Sequence, residues 1–167
     1  PLGIDYRVGD AVHLEKIGQF DLVTAIFLLN YARDQKTLAA MTAHMAHQLC
    51  GGGQLVTVLP NPDFQNGRGD TEAYGFTLVE TGRAREAVHV KMTFHAHTPF
   101  SIEFTQWSYE AIESALIDAG FNQIEWIPFK VAVEGIEAQG QAYWDALLQN
   151  PKSTLLRAYK KDAFNPD

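Results

Sequence analysis

The sequence holds a single cysteine, Cys50, so an internal disulfide framework is excluded. Long apolar runs are also missing. The longest, Ala25 to Leu29, is far too short to cross a bilayer, so no membrane partner is expected. Positive charge is scarce: 13 Lys and Arg against 20 Asp and Glu leave a net charge of −7. A surface of that sign repels phosphate backbones, and Lys160–Lys161 is too small a basic cluster to reverse it, so no nucleic acid is expected as a partner. No signal-peptide pattern opens the chain, which together with the lone thiol points to a cytoplasmic protein. Internal repeats and low-complexity segments are absent.

What remains is 167 residues, 46% apolar and 20% charged, enough for one globular domain with a real core. Ile4–Val8 alternates apolar and polar residues and reads as a strand closed by Gly9, with Asp10 capping a short helical turn through Lys16. Phe20–Leu29 is nearly continuously apolar, the pattern of a strand covered on both faces. Asp34 is placed to cap a helix whose buried stripe is Leu38, Met41, Met45 and Leu49, leaving His44, His47 and Gln48 off it. "CGGG" stops that helix, and Gln54–Leu59 follows as a buried strand ended by Pro60.

The middle changes character. A polar loop over 61–75 leads into "FTLVE", "AVHVKMTFHAH" and "FSIEFTQW", read as a half-solvated antiparallel meander, so 61–107 is an insertion in an otherwise parallel fold. Ser108 then caps a helix closed by Gly120, "QIEWIPFKV" is a strand, a helix covers Glu137–Leu148, and "STLLRAYK" is the last strand. The class is α/β, a mostly parallel sheet with helical crossovers.

The ordered set Asp10–Ala11, "FDLVTAIFLLNYA", "LCGGGQLVTV" and "SYEAIESALIDAGFNQIEWIP" resembles the class I S-adenosylmethionine-dependent methyltransferases. Within them it looks most like the small-molecule group known as methyltransferase type 11 or 12. The resemblance implies a Rossmann-like sheet of order 3-2-1-4-5-7-6, of which this chain holds strands 3 to 7, and S-adenosyl-L-methionine as cofactor. It also implies a glycine-rich strand-to-helix loop around the methionine moiety and an acidic residue for the ribose. Neither is found here, because "CGGGQ" follows a helix and precedes a strand, the reverse of what that loop requires. Residues 1–167 are therefore expected to be a partial domain. Strands 1 and 2 would come from upstream polypeptide or from a second copy of the chain.

The resemblance assigns Asp10 to the adenine amino group and the Ala11 amide to the ring. The chemistry fits, since a carboxylate only accepts hydrogen bonds and an exocyclic amine donates them, though a helix cap would use Asp10 equally well. Ala25, Ile26 and Phe27 fall where cofactor contacts belong, at the carboxyl end of a central strand. Many relatives carry a small polar residue there, so shape contacts are expected from this apolar set. Asn30 and Tyr31 after one strand, and Asn61, Pro62 and Phe64 after the next, leave strand ends on the same side and are candidates for holding a small-molecule acceptor.

His89, His95 and His97 share a strand face, but without acidic or cysteine partners at matching spacing they do not make a zinc site, and no metal is expected. Cys50 carries no mark of a nucleophile, and no catalytic residue is legible, in keeping with a methyl transfer that needs no triad. The tripeptide Arg68-Gly69-Asp70 is read as chance. Two rival classes are a non-catalytic methyltransferase-like module that supports a partner and, more remotely, a dehydrogenase, which lacks its dinucleotide fingerprint here.

Overall fold

The computed structural model describes residues 3–66 and 71–162, so the Arg68-Gly69-Asp70 tripeptide and part of the 61–75 loop lie outside the described residues. Among the described residues seven strands form two sheets. In the first, β1 (Phe20–Ile26), β2 (Leu49–Pro60), β7 (Ser153–Lys160) and β6 (Phe121–Ile127) lie in that order. The β1–β2 pair is parallel, and β2–β7 and β7–β6 are antiparallel. The second sheet is an antiparallel meander of β3 (Phe76–Arg83), β4 (Ala87–Phe94) and β5 (Phe100–Trp107), the inserted element expected from its alternation.

Helix α1 (Gln35–Gln48) begins as the sequence dictates. The Thr37 amide donates to Asp34 Oδ1 at 2.7 Å, satisfying one of the unpaired first-turn donors. Leu38, Met41, Met45 and Leu49 are all buried. Helix α2 (Tyr109–Asp118) is capped the same way, Ala111 N–H donating to Ser108 Oγ at 3.2 Å, and Gly120 leaves it with φ +90°. Its Ile112 and Leu116 are wholly buried, each contributing about 1.5–3 kcal/mol. Thr42 Oγ1 bridges the two helices by reaching the Ala115 carbonyl at 3.1 Å.

Several expectations are corrected. Ile4–Val8 forms no strand; it is irregular and exposed, because no described strand lies beside it to complete a ladder. The helical turn after Asp10 is a single turn, closed by the His13 amide on the Asp10 carbonyl. Strand β1 is not covered on both faces: it is the sheet edge, and Phe20, Leu22 and Ile26 stand 42–57% exposed. The glycines do not end α1. The chain turns extended at Leu49 and "CGGG" lies within β2, where Gly53 lets the strands close up; a Cβ there would meet the Phe20 carbonyl oxygen at 3.1 Å. Gln48 is buried rather than off the stripe. Its amide accepts from Ile17 N–H and donates to the Glu15 carbonyl, pinning the N-terminal segment to the core. The "QIEWIPFKV" strand is β6, starting at Phe121. The expected 137–148 helix is two, α3 (Val133–Gln139) and α4 (Gln141–Gln149), broken at Gly140, whose φ of +79° suits glycine.

Candidate functional site

Parallel pairing of β1 with β2 puts their carboxyl ends together, and antiparallel β7 brings its first residue, Ser153, opposite Pro60 at the same end. Three chain segments therefore converge there: the 3-10 turn Leu29–Tyr31, the loop after β2, and the Lys152–Ser153 entry to β7. Over them lies the meander. Between the two is a largely apolar cavity of about 500 Å³, the size of a small-molecule site. Its roof is one face of the meander: Phe76 and Leu78, Met92 and Phe94, Ile102 and Phe104. Phe27, Tyr31, Pro60 and Phe64 line the opposite wall, and Phe129 with Leu147 of α4 complete the side.

One side chain holds the floor to the roof. Gln106 on β5 is buried, and its Nε2 donates to the carbonyls of Asn61 (2.8 Å), Phe64 (2.9 Å) and Pro62 (3.1 Å). Asn61 ties the same loop to β7: its amide N–H donates to the Lys152 carbonyl at 2.9 Å and its Nδ2 to that of Pro151 at 2.9 Å. Tyr109 adds a third tie, donating to Asp63 Oδ2 at 2.8 Å; burial, then that hydrogen bond, push its phenol up to about 12.

The residues singled out from sequence separate into groups. Phe27, Tyr31 and Phe64 line the cavity. Asn61 is not among the lining residues; it is buried and its side chain serves the loop. Ala25 is in the core, its carbonyl accepting from Thr57 Oγ1, and Ile26 stands on the exposed edge of β1. Phe27 has φ +49°, a left-handed conformation unusual for a bulky side chain, immediately after its N–H makes the last ladder bond to the Val58 carbonyl at 2.8 Å. Such strain persists only where surrounding structure fixes it, and it falls at the cavity mouth.

Asp10 lies apart from these, its side chain 64% exposed. It accepts from Val12 N–H at 2.9 Å and faces His13 Nδ1 at 3.3 Å. The Val12 hydrogen bond, then the His13 one, hold the carboxyl below its usual range. Ala11 and Val12 pack against the core beside it.

Reasoning from sequence missed Gln106 and Lys152, whereas Asn30, expected with Tyr31 on the substrate side, does line the cavity. Asn30 is 4% exposed and its Oδ1 has no partner among the described residues. It lines the apolar cavity and also a second, more polar one that includes Arg33, His89 and Glu103. Lys152 lies over the Tyr74 ring with Nζ 4.2 Å from its centroid, and burial lowers its pKa. The signal for Asn30 was a polar residue directly after an apolar run; Lys152 gave none, because its neighbours come from distant sequence.

No protein-family model matches the chain, and no curated protein matches it. Solved structures do. An S-adenosylmethionine-dependent methyltransferase from Mesorhizobium loti superposes with a TM-score of 0.64 at 18% identity, covering 95% of this chain and 70% of that one. A second, from Clostridium acetobutylicum, gives 0.53 at 14% over 93% and 64%. CalS10, an amino pentose methyltransferase from Micromonospora echinaspora with S-adenosylmethionine bound, gives 0.57 at 19% over 92% and 63%. The chain has the fold of S-adenosylmethionine-dependent methyltransferases. It spans less than two thirds of the Clostridium and Micromonospora enzymes. In this methyltransferase fold the apolar cavity lies outside strand carboxyl ends, where open α/β sheets bind ligands.

Proposed function

We propose that the chain is part of an S-adenosylmethionine-dependent methyltransferase that acts on a small-molecule acceptor. The observation that carries the reading is the apolar cavity at the carboxyl ends of β1 and β2, roofed by the inserted meander, in a methyltransferase fold. CalS10 is an enzyme of small-molecule substrates, which supports an acceptor of that size.

The described residues fit one end of the cofactor. Asp10 is ionised at neutral pH and keeps most of its carboxylate surface open, so it can accept from an adenine amino group while still serving Val12. Ala11 would offer its backbone to the ring, and Ile26 and Phe27 would give shape contacts at the end of β1, whereas Ala25 is enclosed in the core. When bound, S-adenosylmethionine supplies a methyl group made electrophilic by a positive sulfur. Phe27, Tyr31 and Phe64 would hold the acceptor and keep water from it, and an acceptor O–H or N–H that took up this methyl group would release its proton to solvent. Such a transfer requires no metal and no triad.

The exposed Phe20, Leu22 and Ile26 support a further part of the reading. An edge this apolar is covered in the working protein by more of the same polypeptide or by a second copy. Light scattering distinguishes the two by mass.

The test is thermal. The protein expressed from its natural start codon is expected to melt about 2 °C or more higher in saturating S-adenosylhomocysteine. No shift would reject cofactor binding and favour the second reading, a methyltransferase-like module without catalysis.

A further inference from the structure

The described lining of the cavity carries one charge and two buried acceptors without a partner among the described residues, Asn30 Oδ1 and Asn66 Oδ1. Lys152 is the one charged side chain among its described lining residues, and it forms no ion pair among the described residues. Its base is fixed, since its carbonyl accepts from Asn61 N–H, and its Nζ lies 4.2 Å from the Tyr74 centroid and 5.1 Å from that of Phe76. Ring faces soften the desolvation of an ammonium but bring no net negative charge. An ammonium on an apolar wall without a counterion is a place for an anion. Asn30 Oδ1 is buried without a partner among the described residues, an arrangement that is unfavourable unless something supplies a donor. Asparagine χ2 has a broad minimum, so a modest rotation turns this oxygen to the cavity that the residue already lines. A carbonyl oxygen only accepts, so the atom that meets it is an O–H or N–H. Much of the remaining lining is aromatic, including Phe76, Phe94 and Phe104 of the meander, and ring faces pack on flat ligands.

We propose that the cavity takes a planar aromatic acid that also carries a hydroxyl or N–H group. The carboxylate meets Lys152 Nζ, the ring packs against Phe76, Phe94 and Phe104, and the donor is read by Asn30 Oδ1. Lys152 and Asn30 are thus the specificity-determining residues of the site. That the ligand is a methyl acceptor rests on the methyltransferase reading; the binding chemistry rests on the cavity.

The test is calorimetric titration of the full chain with hydroxynaphthoate. It is expected to bind, with methoxynaphthoate and naphthol each weaker by about tenfold or more, because each leaves one buried group unpaired. Lys152→Met should erase the preference for hydroxynaphthoate over naphthol, while Lys152→Arg keeps it. Asn30→Leu should erase the preference for hydroxy over methoxy and leave the unliganded melting temperature unchanged or higher, since its oxygen serves nothing in the fold. No binding at millimolar hydroxynaphthoate, equal affinity for the three compounds, tighter binding of decanoate, or a lowered melting temperature for Asn30→Leu would each overturn the proposal. A naphthoate series that behaves as stated without stabilisation by S-adenosylhomocysteine would sink only the methyltransferase reading. The reverse pattern would sink only this inference.

Discussion

Replacing Gln106 by Leu tests the argument that one buried amide joins the loop after β2 to the meander. Its Nε2 stands within 3.1 Å of three carbonyls, those of Asn61, Phe64 and Pro62, and its Oε1 accepts from Asn66 Nδ2 at 3.3 Å. An NH₂ group has two hydrogens, so two of the three carbonyls are served at any moment. At roughly 1–1.5 kcal/mol for each bond lost, the variant should be less stable by about 2–3 kcal/mol. For a chain of this size that corresponds to a fall of about 5–10 °C in melting temperature. Urea unfolding followed by tryptophan fluorescence reads it directly, because Trp107, the next residue, is buried. Gln106→Glu sharpens the test: it keeps the shape but aims a carboxylate at three carbonyl oxygens, and should be worse than Leu. A Leu variant within about 0.5 kcal/mol of the native protein would show that the amide contributes no net stability, and the bracket argument would fail.

Three further outcomes are expected. Gly53→Ala brings a Cβ within 3.0 Å of the Cys50 carbonyl oxygen and 3.1 Å of that of Phe20, both backbone, so it should destabilise the β1–β2 pair by about 1–3 kcal/mol in the same urea assay. Tyr109 has its phenol raised from 10.0 to about 12 in the fold, so folding favours the protonated form. That contribution is complete below pH 10 and is lost as pH rises toward 12; Tyr109→Phe should lessen the alkaline fall in melting temperature, and an unchanged profile would refute the assignment. Asp10→Ala should weaken S-adenosylhomocysteine binding by about tenfold while leaving the unliganded melting temperature nearly unchanged, since the side chain is 64% exposed; equal binding by calorimetry would remove Asp10 from the cofactor site.

Local signals carried far in this chain. Asp34 and Ser108 start the two main helices because a short acceptor side chain followed by an apolar periodic run has one good local solution, and both caps are made. The alternation of β3 to β5 likewise sufficed to mark an antiparallel insertion. Phe27, Tyr31 and Phe64 could be placed at the cavity because strand ends are legible from apolar runs and their terminators. Ile4–Val8 shows the limit of the same logic: alternation says which face would be buried, but a strand needs a neighbour to bond.

The sequence alone determined the α/β class, the capped helices and the antiparallel meander, because each depends on contacts between residues close in the chain. Only the tertiary structure decided that β1 is an exposed edge, that Gln106 and Asn61 lock a loop, and that Lys152 and the orphaned Asn30 oxygen share one aromatic cavity. Those facts rest on partners tens of residues apart, and which of them meet is settled by how the two sheets pack.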